Sequence, residues 1–238
     1  MTNLKYSAIL FDLDDTLLDF CACETKALQK ALTIVDIKIS DDEWITIWQT
    51  YQPISSNYWQ QKQSRSLSRQ QVIAASLQDT FTALDYNFAD SSRLAQIYWD
   101  VFCHTACLNP EALPTIEALS NYYQLGIVSS GYTDSQVFRL KASGLSNYFQ
   151  SVIISESVGY RKPSPEIFNI ALMELAVKPS KTLFVGDSIT HDYQGAINAG
   201  IDFCYYHNGV QSPSPKLDPQ PQYTIKNMSQ LINILNQG

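Results

Sequence analysis

Short apolar runs alternate with helical patterns over most of the chain, and this alternation restricts the fold more than any other feature. Runs rich in Ile, Val, Leu or aromatic residues end at polar or glycine positions and occur at 6–11, 124–129, 151–155, 182–186 and 202–206, with a shorter run at 223–226. Helical patterns lie between them, at 134–144, 164–177 and 192–200. Strands that alternate with helices build βαβ units. We therefore predict an α/β fold with a parallel sheet flanked by helices.

One long segment breaks the alternation. From about residue 21 to residue 107 the apolar pattern has helical periodicity and contains no convincing strand. For example, Trp44, Ile47, Trp48 and Tyr51 are spaced to share one face of a helix. We therefore predict a second, smaller, all-helical domain inserted after the first strand.

The overall composition excludes several classes of partner. A formal net charge of −7 argues against a nucleic-acid polymer as ligand. No stretch approaches the roughly 20 apolar residues of a membrane span, and the first apolar run is too short for a signal peptide. The five cysteines, an odd number, are typical of a reduced protein. We expect a cytoplasmic monomer or homodimer that acts on a small molecule.

Polar side chains follow four of the predicted strands. In an open parallel sheet, ligands bind beyond the carboxyl ends of the strands, so these side chains are candidates for a common site. Each of them alone also fits a structural role, such as a turn, a helix cap or a solvated lysine. It is their shared position at strand ends that favours a site. In chain order they are Asp12, Asp14 and Asp15; Ser129 and Ser130; Lys162; and Asp187 and Asp192.

The acidic residues predict a metal ion. Because side chains alternate along an extended segment, Asp12 and Asp14 share a side and Asp15 points away. Carboxylates of Asp12, Asp14 and Asp187 at about 4 to 5 Å would repel by roughly 4 kcal/mol per pair at an effective dielectric near 20. A divalent cation removes that repulsion, and an all-oxygen ligand set suits Mg²⁺. Lys162 and Ser129 would then hold a phosphate against the ion.

This set of groups fits phosphoryl transfer. A carboxylate beside Mg²⁺ can attack phosphorus and form an aspartyl phosphate. A second carboxylate two residues further on can protonate the leaving oxygen and later take a proton from water.

The motifs resemble those of the haloacid dehalogenase superfamily. They are "DLDDT" at 12–16, a serine at the end of the second strand, "RKP" at 161–163 and "GDSITHD" at 186–192. The resemblance implies a Rossmann-like parallel sheet with a small helical cap domain inserted after strand 1. It assigns residues 1–18 and 108–238 to the core domain and residues 19–107 to the cap with its return helix.

The resemblance also implies a role for each candidate residue. Asp12 is then the nucleophile and Asp14 the general acid and base, while Thr16 supports the loop. The phosphate ligands are Ser129, Ser130 and Lys162. The Mg²⁺ ligands are Asp12, the backbone carbonyl of Asp14, Asp187 and Asp192, the last either bound directly or through an intermediate group.

Asp14 favours a phosphatase within this superfamily. Dehalogenases of the superfamily lack the acid two residues after the nucleophile, because a halide leaving group needs no proton. The alternatives are a phosphosugar phosphatase, a phosphoglucomutase-like enzyme or, from another class, a non-enzymatic phosphoacceptor such as a receiver domain. Receiver domains are about half this length and their lysine follows all the acids, whereas here Asp187 follows Lys162.

The substrate is predicted from one segment. Residues 144–172 most resemble the branch that contains pyrimidine 5′-nucleotidases, which favours nucleoside 5′-monophosphates, with small sugar phosphates as the alternative. Trp44 and Trp48 could instead pack in the core of the insert, whereas Tyr58 and Trp59 are expected near the cleft between cap and core. The aromatic side chains that could stack on a base are Trp44, Trp48, Tyr51, Tyr58 and Trp59.

Overall fold

The structure is a computed structural model that describes residues 4–86, 90–207 and 217–235. The chain forms two compact units: one contains the residues up to Cys21 and from Ala106 onward, and the other is Ala22–Thr105. The α-helices in the described ranges are α1 (Phe20–Ile34), α2 (Asp41–Gln61), α3 (Arg69–Ala83), α4 (Ser91–Cys103), α5 (Ala112–Ser120), α6 (Thr133–Ala142), α7 (Ser155–Val158), α8 (Pro165–Glu174), α9 (Gln194–Ala199) and α10 (Ser229–Leu235).

The first unit contains a six-stranded sheet in the order β3-β2-β1-β4-β5-β6, and every neighbouring pair is parallel. The predicted parallel sheet is therefore confirmed, and each strand coincides with a predicted apolar run. The strands are β1 (Ala8–Phe11), β2 (Gln124–Ser129), β3 (Ser151–Ile154), β4 (Thr182–Gly186), β5 (Asp202–Tyr206) and β6 (Tyr223–Ile225).

Both faces of the sheet are covered, which explains why the strands are apolar on both sides. On β1, Ile9 and Phe11 point into one cluster, which α5, α6 and α10 complete. Ala8 and Leu10 point into the opposite cluster, which contains side chains of α8 and α9. Phe168 of α8, for example, packs edge-on against Phe184 of β4 at 4.9 Å between ring centroids.

The second unit is helical, as the sequence predicts: its described residues contain no strand. On α2, Ile47 and Tyr51 are buried, while Trp44 and Trp48 are half-buried and stack on each other at 5.6 Å. The capping box of Ser40 and Glu43 fixes the start of this helix. In the described ranges, no helix combines the length and the apolar character needed to cross a bilayer.

The order of the strands places β1 at a topological switch point. The chain leaves β1 for β2 and β3 on one side and then returns to β4 on the other. Ligands bind at such points, outside the carboxyl ends of the strands. Asp12 directly follows β1 and Asp187 directly follows β4, so both lie at this point.

Candidate active site

Three carboxylates meet at the switch point. One oxygen from each of Asp12, Asp187 and Asp192 lies within 4.8 Å of the other two. Asp12 continues the sheet ladder, since its N–H donates to the Val185 carbonyl at 2.9 Å. Asp12 and Asp192 are buried and Asp187 is half-buried. The three oxygens form a cluster that could hold a metal ion. The sequence analysis predicted the carboxylate of Asp14 in this cluster together with Asp12 and Asp187, but the third carboxylate is that of Asp192.

Asp192 reaches this cluster from a π-helical turn, Ile189–Tyr193. The Ser188 N–H donates to Asp192 Oδ2 at 3.0 Å and fixes the carboxylate. A Cβ at Gly186 would lie 2.4 Å from that same oxygen. The glycine at the end of β4 therefore leaves the space that the Asp192 carboxylate occupies. Sequence reasoning missed this role of Gly186, although π-turns are often found at functional sites.

Lys162 lies among these acids. Its ammonium contacts the Asp12 carboxylate and is 2.7 Å from Asp192 Oδ1, with only 3% of the side chain exposed. Burial opposes the charged ammonium, but the carboxylates of Asp12 and Asp192 outweigh it, so the pKa of Lys162 is raised. The backbone N–H of Lys162 donates to Ser130 Oγ at 3.1 Å, which joins the loop after β2 to the loop that carries Lys162. Lys162 is therefore buried among the acids and is not a solvated lysine of the loop.

The electrostatics of the cluster fit a divalent cation. Burial raises the pKa of the Asp12 carboxyl, and the nearby Asp192 and Asp187 carboxylates add to that effect while Lys162 opposes it. Burial, followed by the charges of Asp192 and Asp15, raises the pKa of Asp187 to about 7. When all three acids are ionised, the Lys162 ammonium offsets one of three negative charges. The remaining charge and the all-oxygen donor set are what a hard divalent ion requires.

Asp14 has other partners. Its Oδ1 is 2.6 Å from Nη1 of Arg139, and its Oδ2 accepts a hydrogen bond of 2.7 Å from Nε2 of Gln136. Both partners lie on α6 and both are buried. Sequence reasoning missed Arg139 and Gln136; the signal was a helix with polar residues on its buried face.

Asp15 and Thr16 shape the loop after β1. Asp15 adopts a left-handed backbone conformation, with φ of 57°. Its N–H donates to the Leu18 carbonyl at 2.7 Å, and its Oδ1 accepts from the Phe20 N–H at 3.2 Å. The buried Thr16 hydroxyl donates to Asp187 Oδ1 at 3.4 Å. Of the three acids after β1, Asp15 therefore turns the chain.

The two serines lie at the same edge of the sheet. Ser129 is the last residue of β2 and is buried, and Ser130 follows it. Since β2 is the direct neighbour of β1, both serines lie at the same edge of the sheet as Asp12. Their role as phosphate ligands stays a prediction.

Comparison with known proteins agrees with this arrangement. The family model for haloacid dehalogenase-like hydrolases matches residues 6–200. The chain is 31% identical to the HAD-hydrolase YfnB of Bacillus subtilis over 98% of this chain and 96% of that protein. It is also 31% identical to the pyrimidine 5′-nucleotidase PynA of Streptococcus pneumoniae over 98% and 96% of the two chains, and 27% identical to the pyrimidine 5′-nucleotidase YjjG of Escherichia coli over 98% and 99%. A crystal structure of YfnB bound to magnesium superimposes with a TM-score of 0.82 at 30% identity and covers 98% of this chain and 99% of that one. The resemblance seen in the sequence is confirmed, and the chain belongs to the haloacid dehalogenase-like hydrolase family.

Proposed function

We propose that the protein is a Mg²⁺-dependent phosphatase that hydrolyses nucleoside 5′-monophosphates. The observation that carries this proposal is the convergence of Asp12, Lys162 and two further acids at the carboxyl ends of β1 and β4. A nucleophilic carboxylate beside a buried cation is what attack on a phosphate ester requires.

Asp12 is the nucleophile in this proposal. One of its oxygens attacks phosphorus while the ester P–O bond breaks, and the electron pair of that bond goes to the leaving oxygen. The leaving oxygen takes a proton from Asp14. Water then attacks the same phosphorus and gives a proton to Asp14, and the bond between phosphorus and Asp12 breaks. Phosphate leaves and both carboxyl groups return to their starting states.

Lys162 and the serines bind the phosphoryl group in this scheme. The Lys162 ammonium already contacts Asp12, so a phosphoryl group on Asp12 would lie within its reach. Ser129 and Ser130, at the end of the neighbouring strand, supply hydroxyl donors. Charge-assisted hydrogen bonds of this kind are about twice as strong as neutral ones.

The residues that would hold Mg²⁺ are Asp12, Asp187 and Asp192, with the backbone carbonyl of Asp14 as a further ligand. The cluster of three carboxylate oxygens supports this assignment. Bound Mg²⁺ offsets negative charge on phosphoryl oxygens and on the attacking carboxylate.

The relatives support the substrate class. PynA and YjjG are named pyrimidine 5′-nucleotidases, and each matches this chain over nearly its full length.

The test is a comparison of kcat/KM for UMP, dTMP, AMP, glucose 6-phosphate and phosphoglycolate in the presence of Mg²⁺. We expect a nucleotide to be the best substrate, no turnover in EDTA, and no turnover by Asp12→Asn, because an amide is a poor nucleophile. A sugar phosphate or phosphoglycolate that exceeds every nucleotide by about tenfold, or about 1.4 kcal/mol of transition-state preference, would overturn the nucleotidase assignment. Full activity after exhaustive chelation would overturn the role of the metal.

A further inference from the structure

The helix after β2 buries polar residues and exposes apolar ones, which an ordinary surface helix does not do. On α6, Gln136 and Arg139 are buried, whereas Val137 and Phe138 are 45% and 44% exposed. A surface helix normally turns its apolar side toward the core. Natural sequences break such local rules mainly at functional sites.

The two buried polar side chains both end at Asp14. The Arg139 guanidinium holds Oδ1 at 2.6 Å and the Gln136 amide donates to Oδ2 at 2.7 Å, so each carboxylate oxygen has a donor from α6. Gln136 is itself in contact with Arg139, since Nη1 of the arginine donates to Oε1 of the glutamine at 3.4 Å. Two donors spaced one helical turn apart fix the plane of the carboxylate as well as its position.

A glycine makes this arrangement possible. A Cβ at Gly131 would lie 2.2 Å from Nε2 of Gln136 and 2.8 Å from its Cδ and Cγ. Gly131 therefore leaves the space through which the Gln136 amide reaches Asp14. The loop after β2 and the helix α6 are therefore complementary where the Gln136 amide meets Asp14.

Stability alone does not explain the pair. Removing a guanidinium and a carboxylate from water opposes folding, and apolar residues of similar volume often stabilise a protein as well or better. Arg139 is fully buried and only 26% of the Asp14 side chain is exposed. The geometry points to a role in the reaction: we infer that Arg139 and Gln136 are positioning residues, which hold the Asp14 carboxyl in the orientation from which it exchanges its proton with the leaving oxygen.

This inference rests on the proposed function, and it predicts a signature that a structural role lacks. Misplacing a general acid slows the departure of a poor leaving group and affects a good one little. Two substrates are therefore compared. One is the phosphate ester of an aliphatic alcohol for which the wild type has the highest kcat/KM, and the other is p-nitrophenyl phosphate. The parameter is kcat/KM, because it includes the step in which the leaving group departs whether or not later hydrolysis limits kcat.

Gln136→Met and Arg139→Met remove the donors and keep comparable length. We expect kcat/KM for the aliphatic ester to fall by about 10-fold in Gln136→Met and about 100-fold in Arg139→Met, with a loss under about 3-fold for p-nitrophenyl phosphate. Arg139→Lys, which keeps the charge, should recover part of the loss. Ser135→Ala is the matched control, because Ser135 is a buried polar residue of α6 whose hydroxyl donates to the Tyr132 carbonyl and not to Asp14.

A double-mutant cycle completes the test. In an Asp14→Asn background, Gln136→Met and Arg139→Met should cause no further selective loss, because the carboxyl that they position is gone. Equal losses with both substrates, or losses that persist in that background, overturn the positioning role. If Arg139→Met does not fold, as judged by thermal unfolding, Gln136→Met and Gly131→Ala take its place. Gly131→Ala displaces the Gln136 amide, so both variants should show the loss for the aliphatic ester, and its absence in both overturns the inference. A wild-type protein that hydrolyses no phosphate ester overturns the proposed function itself, whereas an active wild type with unselective losses overturns only this inference.

Discussion

Lys162 illustrates what a single residue's environment adds to its position in the sequence. It lies in a loop rich in polar residues, where a lysine is ordinarily solvated, and its partner Asp12 is 150 positions away. The motif "RKP" identifies it as a candidate, but burial depends on the packing of β1, β4 and the π-turn around it. Long-range contact of this kind cannot be obtained from local patterns.

Replacing Lys162 with Met should abolish turnover and also destabilise the metal-free protein. Breaking a buried ion pair by removing one partner costs about 3 to 5 kcal/mol, and proton uptake by the remaining acids lowers that cost here. The Lys162 ammonium lowers the pKa of Asp12, so without it Asp12 binds a proton more readily. The loss in free energy of unfolding should therefore be smaller near pH 5 than near pH 8.

Denaturant unfolding in EDTA at both pH values measures this effect. Lys141 is an exposed residue of α6, so Lys141→Met is the control for the loss of one positive charge. Full activity with unchanged stability in Lys162→Met would return Lys162 to the role of a solvated loop residue.

Whole elements were easier to predict than their irregular parts. Each apolar run forms a strand, and α6 overlaps a predicted helical pattern and ends before Gly144, which is in the left-handed region at φ of 76°. The π-turn and the buried polar face of α6 were not predicted. Both depend on tertiary contacts, of Asp192 with Gly186 and of Arg139 with Asp14, which override local propensity.

The junction of β4 with the π-turn is sensitive to one methyl group. In Gly186→Ala the new Cβ would lie 2.4 Å from Asp192 Oδ2, so the carboxylate must move out of the cluster. We expect the Mg²⁺ concentration for half-maximal activity to rise by about 10-fold or more, the scale seen when groups that orient metal ligands are removed. Titration of activity with Mg²⁺ measures this value.

Gly126→Ala is the matched control for that variant. Gly126 is also a strand glycine of the sheet, and its added Cβ would lie 2.7 Å from Leu10 Cδ2, away from the acids. Both variants should lose stability, but only Gly186→Ala should change the Mg²⁺ requirement. A similar shift in the two variants would mean that the effect is general and does not pass through Asp192.

At the scale of the whole molecule, strand order decides which residues meet. The sequence predicts a parallel sheet and acids at the ends of two strands, but the order β3-β2-β1-β4-β5-β6 is a property of the assembled fold. That order makes β1 and β4 neighbours and so brings Asp12 and Asp187 together across 175 positions of sequence. Asp192 completes the cluster, so part of the chain's net charge of −7 collects at this one place in the fold.

This excess charge should make the stabilising effect of Mg²⁺ depend on pH. In the metal-free protein the pKa of Asp187 is raised to about 7, from an ordinary value near 4, because of burial and the neighbouring acids. The folded protein then binds a proton more tightly than the unfolded chain, so the free energy of unfolding falls as the pH rises from about 4 to about 7. Mg²⁺ takes the place of this proton, and it should raise the melting temperature more near pH 8 than near pH 5. Stabilisation of about 2.7 kcal/mol is expected at a Mg²⁺ concentration 100 times Kd. Calorimetric melting with Mg²⁺ and with EDTA at the two pH values measures this difference.

Asp187→Asn is the control variant. It should reduce the difference in melting temperature and also flatten the pH dependence of the metal-free protein. An equal or larger effect of Mg²⁺ near pH 5 would show that the ion does not bind at these carboxylates.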